Sequence, residues 1–163
     1  MSKKIKKYLF NEVLIIGIGL IGSSIALSLK KNGIARNIVG FSKTEKTRKI
    51  AKKKRIVDEV INRISNRISE MDLIIICSPL STYEKIFNLI NPHLSKKTIV
   101  TDVGSAKSRI VKNFHSSKDR VFDFIPAHPL LEQNKVDRML AFMSYLLIDG
   151  ASSRLFLETR KEI

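Results

Sequence analysis

The chain has 163 residues, 44% of them hydrophobic, and sets 30 Lys and Arg against 15 Asp and Glu for a formal net charge of +15. That apolar content suffices for one compact core and excludes wholesale disorder; the length suits one domain of roughly 100–150 residues and excludes a second of full size. Cys77 is the single cysteine, so no internal disulfide is expected, and a reducing, cytoplasmic compartment is the expected location.

The basic Met1-Ser2-Lys3-Lys4 precedes an apolar stretch, as the start of a signal peptide would. Asn11 and Glu12 interrupt that stretch, the apolar run from Val13 is rich in glycine, and no small-residue cleavage site falls in the right place. No run approaches the ~20 apolar residues that span a bilayer. A soluble protein without a membrane partner is expected, with residues 1–10 as a basic N-terminal extension. Positive charge is densest from Lys43 to Arg55. A basic surface attracts phosphate whatever its sequence, yet zinc-finger spacing, a basic leucine zipper and aromatic-studded strands are all missing. The block reads as a solvated helix face in a lysine-rich protein, with no nucleic-acid partner and no metal site expected.

From Glu12 onward, short apolar runs alternate with longer amphipathic stretches. Val13-Leu14-Ile15-Ile16 ends in glycine, as a buried parallel strand would. Ser23 to Lys31 sets Ile25, Ala26 and Leu29 at helical spacing, and Asn32-Gly33 supplies the stop. Strand and helix then repeat: Asn37 to Phe41 and Thr44 to Lys54, then Asp72 to Cys77 and Tyr83 to Ile90. A third repeat places a strand at Thr98 to Thr101 and a helix at Ala106 to Phe114, and Val121 to Ile125 closes the series. This alternation predicts a doubly wound α/β domain, a parallel sheet covered on both faces. After Pro129 it stops: Val136 to Ile148 is apolar enough for a helix but presents hydrophobic residues on several sides.

Gly17-Ile18-Gly19-Leu20-Ile21-Gly22 matches G-x-G-x-x-G, directly after a strand and opening a helix. Gly17 permits the tight turn, Gly19 lets the backbone approach a pyrophosphate, and Gly22 allows the helix to pack closely on the strand. The positive end of that helix stabilises phosphate charge, so dinucleotide binding is expected. The residue ~20 beyond the last glycine separates NAD from NADP. Here it is Ser42, followed by Lys43. Ser42 neither accepts from a ribose 2′-hydroxyl as a carboxylate would nor repels a 2′-phosphate, and Lys43 and Lys46 favour the phosphate. NAD or NADP both stay open.

Three further pieces fall at strand ends: Ile76-Cys77-Ser78-Pro79, Asp102-Val103-Gly104-Ser105-Ala106-Lys107, and Ile125-Pro126-Ala127-His128-Pro129. A doubly wound sheet presents its ligand crevice there, so Ser78 and Pro79 join the expected cofactor contacts. With the glycine loop, these segments resemble the prephenate and arogenate (cyclohexadienyl) dehydrogenase family of tyrosine biosynthesis. That family shows G-x-G-L-I-G-x-S, then D-x-G-S-x-K, then a strand running into P-x-H-P, and the resemblance covers about residues 10 to 130. It implies an NAD- or NADP-dependent oxidative decarboxylation, of prephenate to 4-hydroxyphenylpyruvate or of arogenate to tyrosine. His128 would then be the catalytic histidine at the substrate's ring hydroxyl, a role suited to a side chain that titrates near neutrality. Ser105 would help to hold His128 and the substrate. His93 and His115 match nothing and read as surface residues, and Cys77 reads as a core thiol.

The resemblance breaks after Leu130. The family would continue approximately A-G-T-E-x-S-G, whereas the chain reads Leu131-Glu132-Gln133-Asn134-Lys135-Val136-Asp137. Synonymous codons exist for this segment that, with one G restored in front, translate as A-G-T-E-Q-S-G. A single-nucleotide deletion near codon 131 is therefore expected, making residues 131–163 an out-of-frame tail and residues 11–130 the dinucleotide-binding domain. The family's helical domain, which makes the homodimer and closes the substrate crevice, would then be missing. Little dehydrogenase activity is expected of such a chain, with a non-catalytic remnant that at most binds nucleotide as the alternative.

Overall fold

The computed structural model describes residues 8–95, 97–105, 108–117 and 119–126. His128, the apolar stretch from Val136 to Ile148 and the rest of residues 131–163 lie outside the described residues.

In chain order the elements are β1 (Phe10–Ile16), α1 (Leu20–Lys31), β2 (Ala35–Phe41), α2 (Glu45–Lys53), β3 (Glu59–Ile61), β4 (Leu73–Ile76), α3 (Tyr83–Ile90), β5 (Ile99–Asp102), α4 (Ser108–Ser116) and β6 (Asp123–Ile125), with short 3-10 turns between some of them. The strands form a six-stranded sheet in the order β3-β2-β1-β4-β5-β6, and every pairing is parallel. This is the doubly wound α/β architecture that the alternation predicts.

The central strands are apolar in both directions because helices cover both faces of the sheet. Val13 and Ile15 of β1 pack with Ile25, Ala26 and Leu29 of α1 and Ala51 of α2. Their alternate neighbours Leu14 and Ile16 join Tyr83, Ile86, Phe87 and Ile90 of α3 and Phe114 of α4. The period of two along each strand thus feeds two cores, and Leu73-Ile74-Ile75-Ile76 of β4 divides between them.

Several boundaries differ from the sequence expectation for identifiable reasons. β1 begins at Phe10 rather than Val13: Phe10 and Glu12 pair with Ala35 and Asn37 of β2. The Asp72 carboxylate accepts from the Asn11 and Glu12 amides at 2.7 and 3.1 Å. The apolar run marks only the part of the strand buried on both faces. α1 begins at Leu20 rather than Ser23, because the Ser23 amide already closes a helical bond to Gly19 O at 2.9 Å. β6 begins at Asp123 rather than Val121, whose amide donates to Asn91 Oδ1 at 3.0 Å. β3 was not anticipated: three half-buried residues at a sheet edge carry too little pattern to announce a strand.

Phe87 is the hub of the core under α3 and α4. Its ring meets those of Tyr83, Phe114, Phe122 and Phe124 at centroid distances of 6.0, 5.3, 5.9 and 5.0 Å. The Arg120 guanidinium lies over the same ring at 5.5 Å. Such contacts between edge and face add to the large apolar area an aromatic side chain buries. Phe87→Ala is expected to destabilise the fold by about 3–5 kcal/mol, read as a lowered urea midpoint at unchanged slope.

Candidate functional site

The strand order reverses at β1: β2 and β3 build outward on one side, and β4 returns to the other. At such a switch point the connections leave in opposite directions, which opens a crevice beyond the carboxyl ends of the two central strands. The loop after β1 carries Gly17 to Gly22 and the loop after β4 carries Cys77 to Pro79.

These two loops touch. Gly17 has φ +100°, and a Cβ there would fall 2.6 Å from the Cys77 carbonyl oxygen. Glycine is therefore required at 17 both by its backbone conformation and by the neighbouring loop. At Gly22 a Cβ would run into the Gly17 carbonyl, so the helix can begin this close to the turn only with glycine. Gly19 is different. Its φ of −81° suits any residue, and an added Cβ would meet nothing within 4 Å. The fold gives no reason for glycine at 19, and the open space lies at the N-terminus of α1. The first-turn N–H groups of a helix have no intrahelical partners, and no acidic side chain occupies this first turn. That combination suits a phosphate group. Leu20 and Ile21 stand 90% and 56% exposed beside it.

The other expected site residues sit along the same edge of the sheet. Ser42 and Lys43 follow β2, whose last residue Phe41 accepts from the Gly17 amide at 2.9 Å. Ser78 and Pro79 are closed into a turn by Thr82, whose hydroxyl donates to Pro79 O at 2.6 Å and lies 2.9 Å from Ser78 Oγ. Ser105 is exposed in the loop after β5. His128 lies outside the described residues.

Three residues of this edge were not anticipated as site residues. Thr82 and Arg48 fix loops, the latter donating from Nη1 to both Ser42 O and Lys43 O at 2.7 Å. Tyr83 donates its hydroxyl to the buried Asp102 carboxylate at 2.9 Å. The same Asp102 oxygen accepts from the Gly104 amide at 2.8 Å, so the carboxylate folds the loop that presents Ser105. Asp102 was visible as part of a motif; its partner, 19 positions away on another element, had no local signal.

Burial, aided by the Asp102 charge, pushes the Cys77 thiol up to about 12. Burial likewise holds the Tyr83 hydroxyl well above its ordinary value, with Asp102 adding to it. Both stay protonated at neutral pH, and neither serves as a base. Among the described residues, the crevice presents a helix N-terminus free of acids and loops held by hydrogen bonds, and no group of three or more His, Cys, Asp or Glu is placed to hold a metal.

A sheet whose switch point carries a glycine turn, an open helix N-terminus and no structural demand for glycine at 19 defines a dinucleotide-binding α/β domain. Residues 25–140 match the family described as prephenate dehydrogenase, nucleotide-binding domain; the matched segment runs past residue 130 and stops short of the end of the chain. The chain belongs to the prephenate dehydrogenase family. The prephenate dehydrogenase of Lactococcus lactis is 38% identical over 133 residues, covering 80% of this chain and 37% of that protein. The cyclohexadienyl dehydrogenase of Zymomonas mobilis is 31% identical over 121 residues, covering 74% and 41%. Among solved structures, prephenate dehydrogenase from A. aeolicus in complex with hydroxyphenyl propionate and NAD+ superposes with a TM-score of 0.63 at 29% identity, covering 78% of this chain and 45% of that one. Synechocystis arogenate dehydrogenase gives 0.64 at 30% identity, covering 72% and 40%. The chain thus spans about two fifths of the length of the relatives it matches.

The glycine turn and the Cys77 thiol can each be tested. Gly19→Ala should leave the melting temperature unchanged and weaken nucleotide binding at least about tenfold, since its methyl group enters only the open space. Gly22→Ala should lower the melting temperature, because its methyl group meets the Gly17 carbonyl. The Cys77 thiol stays protonated in the fold and ionises near 8.5 when unfolded. Its contribution to stability is therefore complete below that value and declines as pH rises towards about 12. Against Cys77→Ala, the protein should lose roughly 1–2 kcal/mol more on going from about pH 8 to about pH 10.

Proposed function

We propose that this chain is the nucleotide-binding part of an NAD- or NADP-dependent prephenate or cyclohexadienyl dehydrogenase acting in tyrosine biosynthesis. The observation that carries the reading is Gly19: a glycine that neither φ nor packing demands, at the mouth of a helix whose first turn is free of acids. When bound, the nicotinamide group supplies the hydride acceptor for an oxidative decarboxylation of prephenate or arogenate. The chain's own residues bind and orient. The N–H groups at the start of α1 take the pyrophosphate, Ser42 and Lys43 face the adenosine ribose, and Ser78 and Pro79 wall the crevice at β4. The Asp102–Tyr83 pair holds the loop that offers the Ser105 hydroxyl. His128 accepts or polarises the proton of the substrate's ring hydroxyl, the base that the described crevice otherwise lacks.

Catalysis of this kind needs the substrate held against the nicotinamide, and orientation accounts for about 7–11 kcal/mol of the barrier in well-aligned reactions. The part of the relatives that lies outside the match supplies, in this proposal, the homodimer contact and the far wall of the substrate crevice. The 163 residues by themselves therefore bind nucleotide and turn over little substrate. Residues 131–163 are assigned to a shifted reading frame; a nucleotide sequence around codons 129–133 that cannot be decoded with one base restored rules that assignment out. The functional test is a titration with NADH and NADPH alongside an assay for prephenate-dependent formation of reduced nicotinamide. Saturable binding with turnover near background is expected. Measurable turnover contradicts the incomplete-crevice reading, and absence of binding contradicts the nucleotide reading.

A further inference from the structure

The loops that carry Ser78 and Ser105 are joined beneath the crevice by a continuous set of contacts. At one end, the turn after β4 rests on the glycine turn: a Cβ on Gly17 would lie 3.3 Å from the Ser78 amide nitrogen. The turn is closed on itself. The Thr82 amide donates to Pro79 O at 2.9 Å; the Thr82 hydroxyl donates to the same oxygen at 2.6 Å and lies 2.9 Å from Ser78 Oγ. Thr82 leads directly into Tyr83, the first residue of α3. The nucleotide-side turn and the Tyr83 ring therefore share one short backbone segment.

Tyr83 crosses to the other loop. It and Asp102 are both fully buried, and Asp102 ends β5 in register with Ile76 at the end of β4. The Tyr83 hydroxyl donates to Asp102 Oδ2 at 2.9 Å, and that oxygen also accepts from the Gly104 amide at 2.8 Å. Gly104 lies close upon the pair. A Cβ there would fall 2.5 Å from Leu80 Cδ2, 2.9 Å from Asp102 Oδ2 and 3.2 Å from Tyr83 Oη. Two side chains of the β4 turn thus bear on one residue of the β5 loop, and Ser105 is the next residue along. Burial keeps the Tyr83 hydroxyl protonated, so it donates throughout the neutral range. A buried carboxylate that loses a donor is left unsatisfied, so neither loop can shift alone without cost.

We propose that Tyr83 is a positioning residue that couples the two sides of the crevice: through Asp102 it ties the Gly104–Ser105 loop to the Ser78–Thr82 turn, so that a nucleotide seated against the turn also fixes Ser105. The proposal rests on the dinucleotide reading above and adds the link from the nucleotide to the substrate side. Tyr83 touches no reacting atom. It transmits occupancy of one wall to the geometry of the other, through a chain of packed and hydrogen-bonded groups.

The test is amide hydrogen exchange of the isotope-labelled 163-residue chain, followed by NMR without and with saturating NADH. Resonances of Gly19, Leu20 and Ile21 report occupancy. NADH should slow exchange at the Gly104 amide at least about fivefold, a coupling of ordinary size between two sites. Tyr83→Phe removes the hydroxyl and keeps the ring. It should speed Gly104 exchange in the free protein, and the slowing by NADH should shrink to less than about twofold. Thr82→Val cuts the same link at its other end, outside the core, and leaves the Tyr83–Asp102 bond in place. It should keep Gly104 exchange in the free protein and lose the slowing, and it carries the test should Tyr83→Phe fail to fold. Slowing that persists in either variant overturns the coupling, because the nucleotide then reaches the loop by another route. Absence of slowing in the unsubstituted chain, with Gly19 to Ile21 responding, overturns it as well and leaves the dinucleotide reading standing. No response at Gly19 to Ile21 removes both.

Discussion

The contact between the glycine turn and the end of β4 is the constraint on which the other features depend. Gly17 can sit against the Cys77 carbonyl only without a side chain and with φ positive. That approach brings the loops of the two central strands to one point, where the strand order reverses. α1 then starts immediately above β1, with Gly22 against the Gly17 carbonyl. Its N-terminus thereby lies directly beside the glycine turn, with open space at Gly19. Two glycines are structural in this sense, and the third is not required by the fold.

The same edge divides into parts with different duties. Across β1 and β2 the sheet offers backbone N–H groups and, through Arg48, a loop fixed by its carbonyls. Across β4 and β5 it offers hydroxyls set by buried hydrogen bonds, with Asp102 between Tyr83 and Gly104. A buried carboxylate that holds a tyrosine hydroxyl and a backbone amide is satisfied, and losing either partner would leave polar groups stranded. Burial keeps Cys77 and Tyr83 neutral, so this half of the edge positions groups without moving protons.

The architecture was legible because the central strands are buried on both faces, which writes them into the sequence as unbroken runs such as Leu73 to Ile76. Amphipathic spacing did the same for α3, whose bounds agree residue for residue. Peripheral structure was less visible. β3 is three half-buried residues long, and the start of β1 is secured by the Asp72 carboxylate, a partner 61 positions away. At the site, Gly17 to Gly22 and the loop residues Ser42, Lys43, Ser78 and Ser105 could be placed because strand ends and turn residues are local signals. Arg48 could not, since its function depends on which loop its side chain reaches; within the sequence it was one cation of a basic block. The charge of +15 thus resolves into parts, some paired with acids across elements and some gathered between α2 and the end of β3.

The central claim is that this domain folds around its sheet and receives a dinucleotide at the N-terminus of α1. Backbone amide NMR of the isotope-labelled chain, recorded as NADPH is added, tests it most directly. The account predicts saturable shifts at the amides of Ile18, Gly19, Leu20 and Ile21, with Ser42, Lys43 and Ser78 following the same binding curve. Amides of β6, at the far edge, should stay in place. Shifts confined to the lysines of α2, with the glycine turn unmoved, would contradict it.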